Sequence, residues 1–396
     1  MKTAAFLTLV ALSSTTPLAK VPIASNDAAL RDAEGRLDYS RVLRMIQEIE
    51  DKYAAETVYG EPLPVKRAAG GSSEPMKAYS EDGYNDDDYY GNGLVGKNSP
   101  QTFTVKFDTG SSTFFVPGPK CPSSTCLGPT RYNEGGTDEH NTTTVNYAKG
   151  KRVGENFLDT VSVAGVSVDN TQVVSLSQRE GPTHVAPDSL MGLGFGKLKG
   201  KPNTFFEDAM EQGKVSVNEF SFYLGRTAKG TADKSEITIG GRDSSKFTGT
   251  PVLLPLVNTD HWNVPLDGVT VGGKAVTGLA KIATIDTGTS IIAAPATAVE
   301  SFYSNIPGSA KHDSHFYSVP CDATIPPVVF KFGGHDFPLD SFDVIYDKKK
   351  NVCLGSFYSL SYPSLLVGDS FLKSWYSIYS YDAAGGKPAV LLAKAV

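Results

Sequence analysis

From Phe103 to Pro117 the chain first alternates and then clusters its apolar residues. Phe103-Thr-Val-Lys-Phe107 has the period of a strand with one buried face, and Phe114-Phe115-Val116 is a second apolar run stopped by Pro117. Between them lies a short polar stretch, Asp108-Thr109-Gly110-Ser111-Ser112. The pattern therefore sets an acid on a tight turn between two strands predicted to be buried. Gly110 allows another backbone to come close. Thr109 and the serines offer hydroxyls to a carboxylate, which needs such partners when it leaves water. One such stretch reads equally well as a turn aspartate closing a hairpin or as a chemical site.

The remaining pattern divides the chain. Met1–Ala19 carries Lys2, an apolar run and a small-residue end, the form of a secretory signal peptide, with an apolar core too short to span a bilayer. Residues 20–67 are charged and predict one helix, about Arg41–Ala55. Ser40 is its candidate N-cap, and Val42, Ile46, Ile49 and Tyr53 form its apolar stripe. This segment ends at Lys66-Arg67 in a small-residue stretch, the kind of site a kexin-type protease cuts, so 20–67 reads as a propeptide; an ordinary helical N-terminal element is the other reading. Residues 68–88 form a flexible acidic lead-in. Val145–Val168 predicts a hairpin and a following strand, Thr204–Gln212 a helix, and Phe220–Leu224, Glu236–Ile239, His261–Leu266 and Val269–Val271 strands. The turn-rich Gly240–Gly249 offers a boundary between a lobe at 89–249 and one at 250–396.

Composition narrows the chemistry. The chain has 396 residues, 40% of them hydrophobic, 39 Gly and 24 Pro, which suits a β-rich, turn-rich protein. A net charge of −6 gives no electrostatic case for nucleic acid. The basic groups Lys149–Arg152 and Lys348–Lys350 read as solvated turns. No later stretch predicts a membrane span. With a signal peptide, four cysteines favour two disulfides over a metal site, and proximity pairs Cys121 with Cys126 and Cys321 with Cys353. Asn141-Thr-Thr143 is a glycosylation sequon, expected on a surface turn. The six histidines lack carboxylate or cysteine companions in metal-ligand spacing and are expected at the surface.

The opening stretch then recurs. Lys281-Ile-Ala-Thr-Ile-Asp286-Thr287-Gly288-Thr289-Ser-Ile-Ile-Ala-Ala-Pro295 repeats its order of apolar strand, Asp-Thr-Gly, hydroxyls, apolar run and proline, with the aspartates 178 positions apart. Repetition over about half the chain predicts two similar lobes facing one another. The apolar runs Leu190-Met191-Gly192 and Leu366-Val367-Gly368 follow the two copies as a second matching pair.

On these motifs the sequence resembles the pepsin-like aspartic proteases, the secreted fungal members in particular, over about Tyr89 to Val396. Both DTG motifs, Tyr147 followed by Ala148-Lys149-Gly150, Asp159-Thr-Val behind that tyrosine, and both cysteine pairs fit the family's spacing. The resemblance implies an all-β, bilobal fold of two β-barrel-like lobes with a central cleft. It implies Asp108 and Asp286 as the catalytic pair. Thr109 and Thr287 would tie the two loops, Gly110 and Gly288 keep the site flat, and Ser111 and Thr289 hydrogen-bond the carboxylates. Tyr147, Ala148 and Lys149 would form a flap over bound peptide. Three departures stand out: Phe115 where the family has Trp, Ala148 where it has Gly, and a propeptide with no identifiable base for the catalytic pair.

Two carboxylates about 3 Å apart cannot both ionise, so they share a proton and can activate a water without metal or cofactor. The expectation is a monomeric acid endopeptidase preferring large apolar residues around the cut, with peptide or protein substrates and sensitivity to statine-type inhibitors. Lys149 at the flap predicts poor cleavage after Lys or Arg. Its place is outside the cell or in a vacuolar lumen. The other reading is a catalytically silent binding protein on the same fold, against which both motifs stand intact.

Overall fold

The alternating stretch at 103–107 becomes the second strand of the first lobe. This lobe comprises β1 (Tyr90–Val95), β2 (Gln101–Asp108), β3 (Phe114–Pro117), β4 (Thr137–Tyr147), β5 (Gly150–Val163), β6 (Val166–Arg179) and β7 (Ser189–Gly192). The structure is a computed structural model that describes residues 21–22, 43, 46–47, 49, 52–53, 89–147, 150–180, 189–197, 200–349, 352–360 and 364–396. The expected signal peptide, Ser40, Val42, Lys66, Arg67, the acidic lead-in, Ala148 and Lys149 lie outside the described residues.

The first sheet runs β1-β2-β7-β3-β6-β5-β4, and β1 also pairs with β5 through Leu94–Ser162 and Val95–Val161. That extra pairing closes six strands into a barrel and leaves β4 outside it, paired with β5 as far as Tyr147 opposite Gly150. The inward residues Phe103, Val105 and Phe107 are buried, as the period of two requires.

The second lobe repeats the core of the first. Ile282–Ile285 lies parallel to Leu365–Val367, which is antiparallel to Ile292–Pro295, and that strand is parallel to Phe357–Leu360. In the first lobe β2, β7, β3 and β6 stand in the same order and senses. A six-stranded sheet joins the lobes and takes strands from both halves: Glu219–Tyr223, Glu236–Ile239, Phe247–Pro255, Trp375–Ser380 and Ala389–Ala395, with Val21–Pro22 added at its edge. The pairing of Val21 with Ile237 was not foreseen, since two residues carry no readable period.

The helix at 205–211 starts where expected: Thr204 caps it through Glu207 N–H, and the Glu207 carboxylate reaches back to Thr204 N–H. Both disulfides form as paired by proximity.

Several expectations are corrected. The strand read at His261–Leu266 begins only at Asn263, because Asn258 accepts from Asp260 N–H and turns the chain before it. His261 is buried rather than at the surface, and His315 is half-buried with Nδ1 3.1 Å from Ser359 O. Asn141 is exposed but sits on the bulged strand β4, where Asn156 donates to its side-chain oxygen. Lys348 and Lys349 belong to the strand Ile345–Lys349, not to a turn.

Candidate active site

Each Asp-Thr-Gly turn is placed by its strand and by the strand running parallel to it. Asp108 ends β2 opposite Gly192 of β7, and its carbonyl accepts from Leu193 N–H at 2.8 Å. Asp286 follows the equivalent strand and donates its N–H to Val367 O at 3.1 Å.

The threonines lock the turns together reciprocally. Thr109 N–H donates to Thr287 Oγ1 at 3.1 Å, and Thr287 N–H to Thr109 Oγ1 at 3.0 Å. Each hydroxyl donates onward across the lobe boundary, Thr109 to Ile285 O and Thr287 to Phe107 O. All four groups are buried and satisfied, so this junction is rigid. Trp262 adds a second tie, its indole N–H donating to Leu193 O at 3.0 Å.

Both aspartates are buried, and each is oriented from its own turn. Asp108 accepts Gly110 N–H on Oδ1 at 2.9 Å and Ser111 Oγ–H on Oδ2 at 2.5 Å. Asp286 accepts Gly288 N–H on Oδ1 at 2.8 Å and Thr289 Oγ1–H on Oδ2 at 2.6 Å. The glycines are required by proximity. A Cβ on Gly110 would stand 2.6 Å from Asp286 Oδ1, and one on Gly288 would stand 2.6 Å from Asp108 Cγ. Each turn is thus packed edge-on against the opposite carboxylate.

A third party enters from the N-terminal segment. The described residues of the expected helix are helical, and Ile46, Ile49 and Tyr53 are buried. They pack on Ile291, Phe316, Tyr346, Tyr358 and Leu360 of the second lobe. Lys52 thereby reaches both carboxylates, 2.7 Å from Asp108 Oδ1 and 3.1 Å from Asp286 Oδ2. Tyr53 donates its hydroxyl to Asp286 Oδ2 at 2.7 Å, with its ring against His261. This is the base that the sequence had not revealed. Lys52 is the one basic residue between Arg44 and Lys66, beside Tyr53 of the apolar stripe, and that was its available signal.

The carboxyls are split in opposite directions. Burial and the adjacent Asp286 charge raise Asp108 above the usual carboxylate range, with Lys52 opposing. Burial also works against ionised Asp286, but Lys52, Thr289, Tyr53 and Gly288 N–H outweigh it and hold that carboxyl low. Burial opposes charge on Lys52 too, and the two carboxylates more than offset it, so the ammonium is held above its usual range.

Tyr147 ends β4 opposite Gly150. Close by, Arg152 does not point to solvent as expected: its guanidinium lies over the Phe115 ring, 5.9 Å from the centroid. Among the described residues, no group of three or more His, Cys, Asp or Glu is arranged to hold a metal ion.

The family described as eukaryotic aspartyl protease matches residues 88–393. The probable vacuolar protease A of Trichophyton verrucosum is 32% identical over 314 residues, 75% of this chain and 76% of its own. Embryonic pepsinogen of Gallus gallus is 32% identical over 322 residues, 78% of this chain and 81% of its own. Pepsin A of Rhinolophus ferrumequinum is 30% identical over 332 residues, 80% and 84% of the two chains.

Proposed function

The chain belongs to the eukaryotic aspartyl protease family and is an aspartic-type acid endopeptidase of peptide or protein substrates, and we propose that Asp108 and Asp286 are its catalytic pair, held inactive by Lys52 and Tyr53. The observation that carries this is the Lys52 ammonium between the two carboxylates, 2.7 and 3.1 Å from them. Once the segment leaves, a water takes that place. The carboxyls share one proton, and the ionised partner takes a proton from the water as it attacks the peptide carbonyl carbon. The carbonyl oxygen receives the proton of the other carboxyl. Collapse of that intermediate breaks the C–N bond as the amine leaves protonated. The two apparent pKa values belong to the pair. Ser111, Thr289 and the glycine N–H groups aim the carboxylates, while the threonine junction keeps them from separating.

The segment up to Lys66-Arg67 acts as a propeptide. Apolar burial seats it: Ile46, Ile49 and Tyr53 contribute about 2 kcal/mol each, more than a buried ion pair contributes net of its own desolvation. Acid therefore loosens the contact at the dyad, and a kexin-type cut after Arg67 completes release. The same apolar wall, Phe316, Tyr346, Tyr358 and Leu360, supports a preference for large apolar residues around the cut. Lys149, two positions after Tyr147 in the sequence, disfavours Lys and Arg before it. The signal peptide, the exposed Asn141 and the two disulfides support passage through an oxidising compartment to the outside of the cell. The vacuolar relatives support a vacuolar lumen as the alternative.

The test is an acid assay of the activated protein on denatured protein substrate. Turnover should be blocked by a statine-type inhibitor and unaffected by chelators or by serine and thiol reagents. Turnover that survives the inhibitor refutes the reading.

A further inference from the structure

The hairpin of β4 and β5 has a seat that the dyad chemistry does not explain. Phe115 is 3% exposed and lies on β3, four positions after Ser111, which holds Asp108. It pairs with Val174 of β6 and Leu190 of β7, so its backbone is held from both sides. Arg152 stands on β5 directly opposite Val145, near the point where the hairpin returns at Gly150. Val145 packs on the cluster of Phe115, Val174, Leu176 and the Cys121–Cys126 disulfide, and the Arg152 guanidinium covers the Phe115 face 5.9 Å from its centroid. A phenylalanine has no N–H to donate, so the link it makes to the hairpin is through its ring face.

We propose that Arg152 is a positioning residue: lying across Phe115, it seats the β5 arm of the hairpin on β3 and so sets how firmly the enzyme holds a peptide. The proposal rests on the endopeptidase reading, since it assigns the hairpin a role in holding substrate. A guanidinium on a partly desolvated ring contributes on the scale of about a three- to tenfold change in binding. A contact made equally before and in the transition state shows in KM rather than kcat.

The experiment is a double-mutant cycle on the acid-activated full chain with Arg152→Met and Phe115→Leu, which keep bulk and remove the cation or the ring. Each should raise KM for a short peptide about five- to tenfold with kcat nearly constant. The double variant should do little more than either, and Arg152→Lys should recover part of the loss. A merely structural role would lower Tm and leave KM of the folded enzyme unchanged. Amide exchange over Val145–Val153, read on the full chain without turnover, should quicken about tenfold in both single variants. Unchanged KM, multiplying effects in the double variant or unchanged exchange overturns the proposal. If the unaltered chain shows no turnover, the endopeptidase reading fails, and the exchange rates still decide whether Arg152 seats the hairpin.

Discussion

Lys52 donates to Asp108 across 2.7 Å although 56 positions separate them in the chain. The contact exists because the helix carrying Lys52 buries Ile46, Ile49 and Tyr53 on the second lobe, which swings the neighbouring side chain onto the dyad. A lysine buried beside two carboxylates is stable only as part of that set. Removing any one member leaves an uncompensated charge out of water.

Asp108→Asn and Asp286→Asn should each lower turnover by about 10²–10⁴-fold or more, since under the proposed assignment each removes a group that moves a proton in the transition state. Both amides are close in shape to the acids, so the Tm of the activated chains, which no longer carry Lys52, should change little. Steady-state kinetics on the activated variants checks this, and near-normal turnover in either would refute the assignment.

Lys52→Met should loosen the proposed propeptide. The buried carboxylates lose their counter-charge, a loss on the scale of about 3–5 kcal/mol, partly relieved by uptake of a proton. The uncut variant, with Lys66 and Arg67 replaced by alanine, should cleave a short peptide measurably where the uncut parent does not. Equal silence of the two chains would show that Lys52 is not what blocks the site.

Acid should release the same contact. Asp286 is held below its ordinary value of 3.8, so its contribution to the closed state is present above that value and is lost as pH falls through the lowered one. Asp108, held up by burial, works in the opposite sense and weakens the net effect. Lys52, held above its ordinary 10.5, contributes throughout the acid range and is lost only in strong alkali. The ratio of uncut to cut activity should therefore stay flat down to about pH 4 and climb only as pH is lowered further. A ratio that stays flat there too would mean that the apolar stripe alone holds the segment.

Gly288→Ala should be disabling through packing rather than backbone strain. Its Cβ would press on the Asp108 carboxyl carbon at 2.6 Å and force the two turns apart. Overpacking of this kind costs about 1–3 kcal/mol. Thermal melting should show that loss, and kcat/KM should fall far more steeply than stability, since the carboxylates are displaced at the point of reaction.

The strand alternation, the recurrence of Asp-Thr-Gly at half-chain spacing and the hydroxyl three positions after each aspartate were legible in the sequence. Each is a local pattern: a period of two, a turn, a hydrogen bond from a group within a few residues of its acceptor. Such patterns specified two matching lobes, the candidate pair and the short-range partners Ser111 and Thr289. Other features depended on which surfaces meet, which no local period encodes. The reciprocal Thr109–Thr287 bonds require two lobes to close edge to edge. His261 is buried because Tyr53 lies on it and Trp262 beside it turns inward to Leu193. Tyr53 itself reads as one more apolar position, yet its hydroxyl reaches Asp286. Lys52 is one charge among several of both signs on its helix; only the docking of the helix, driven by apolar area rather than by charge, turns it into the counter-ion of the two aspartates.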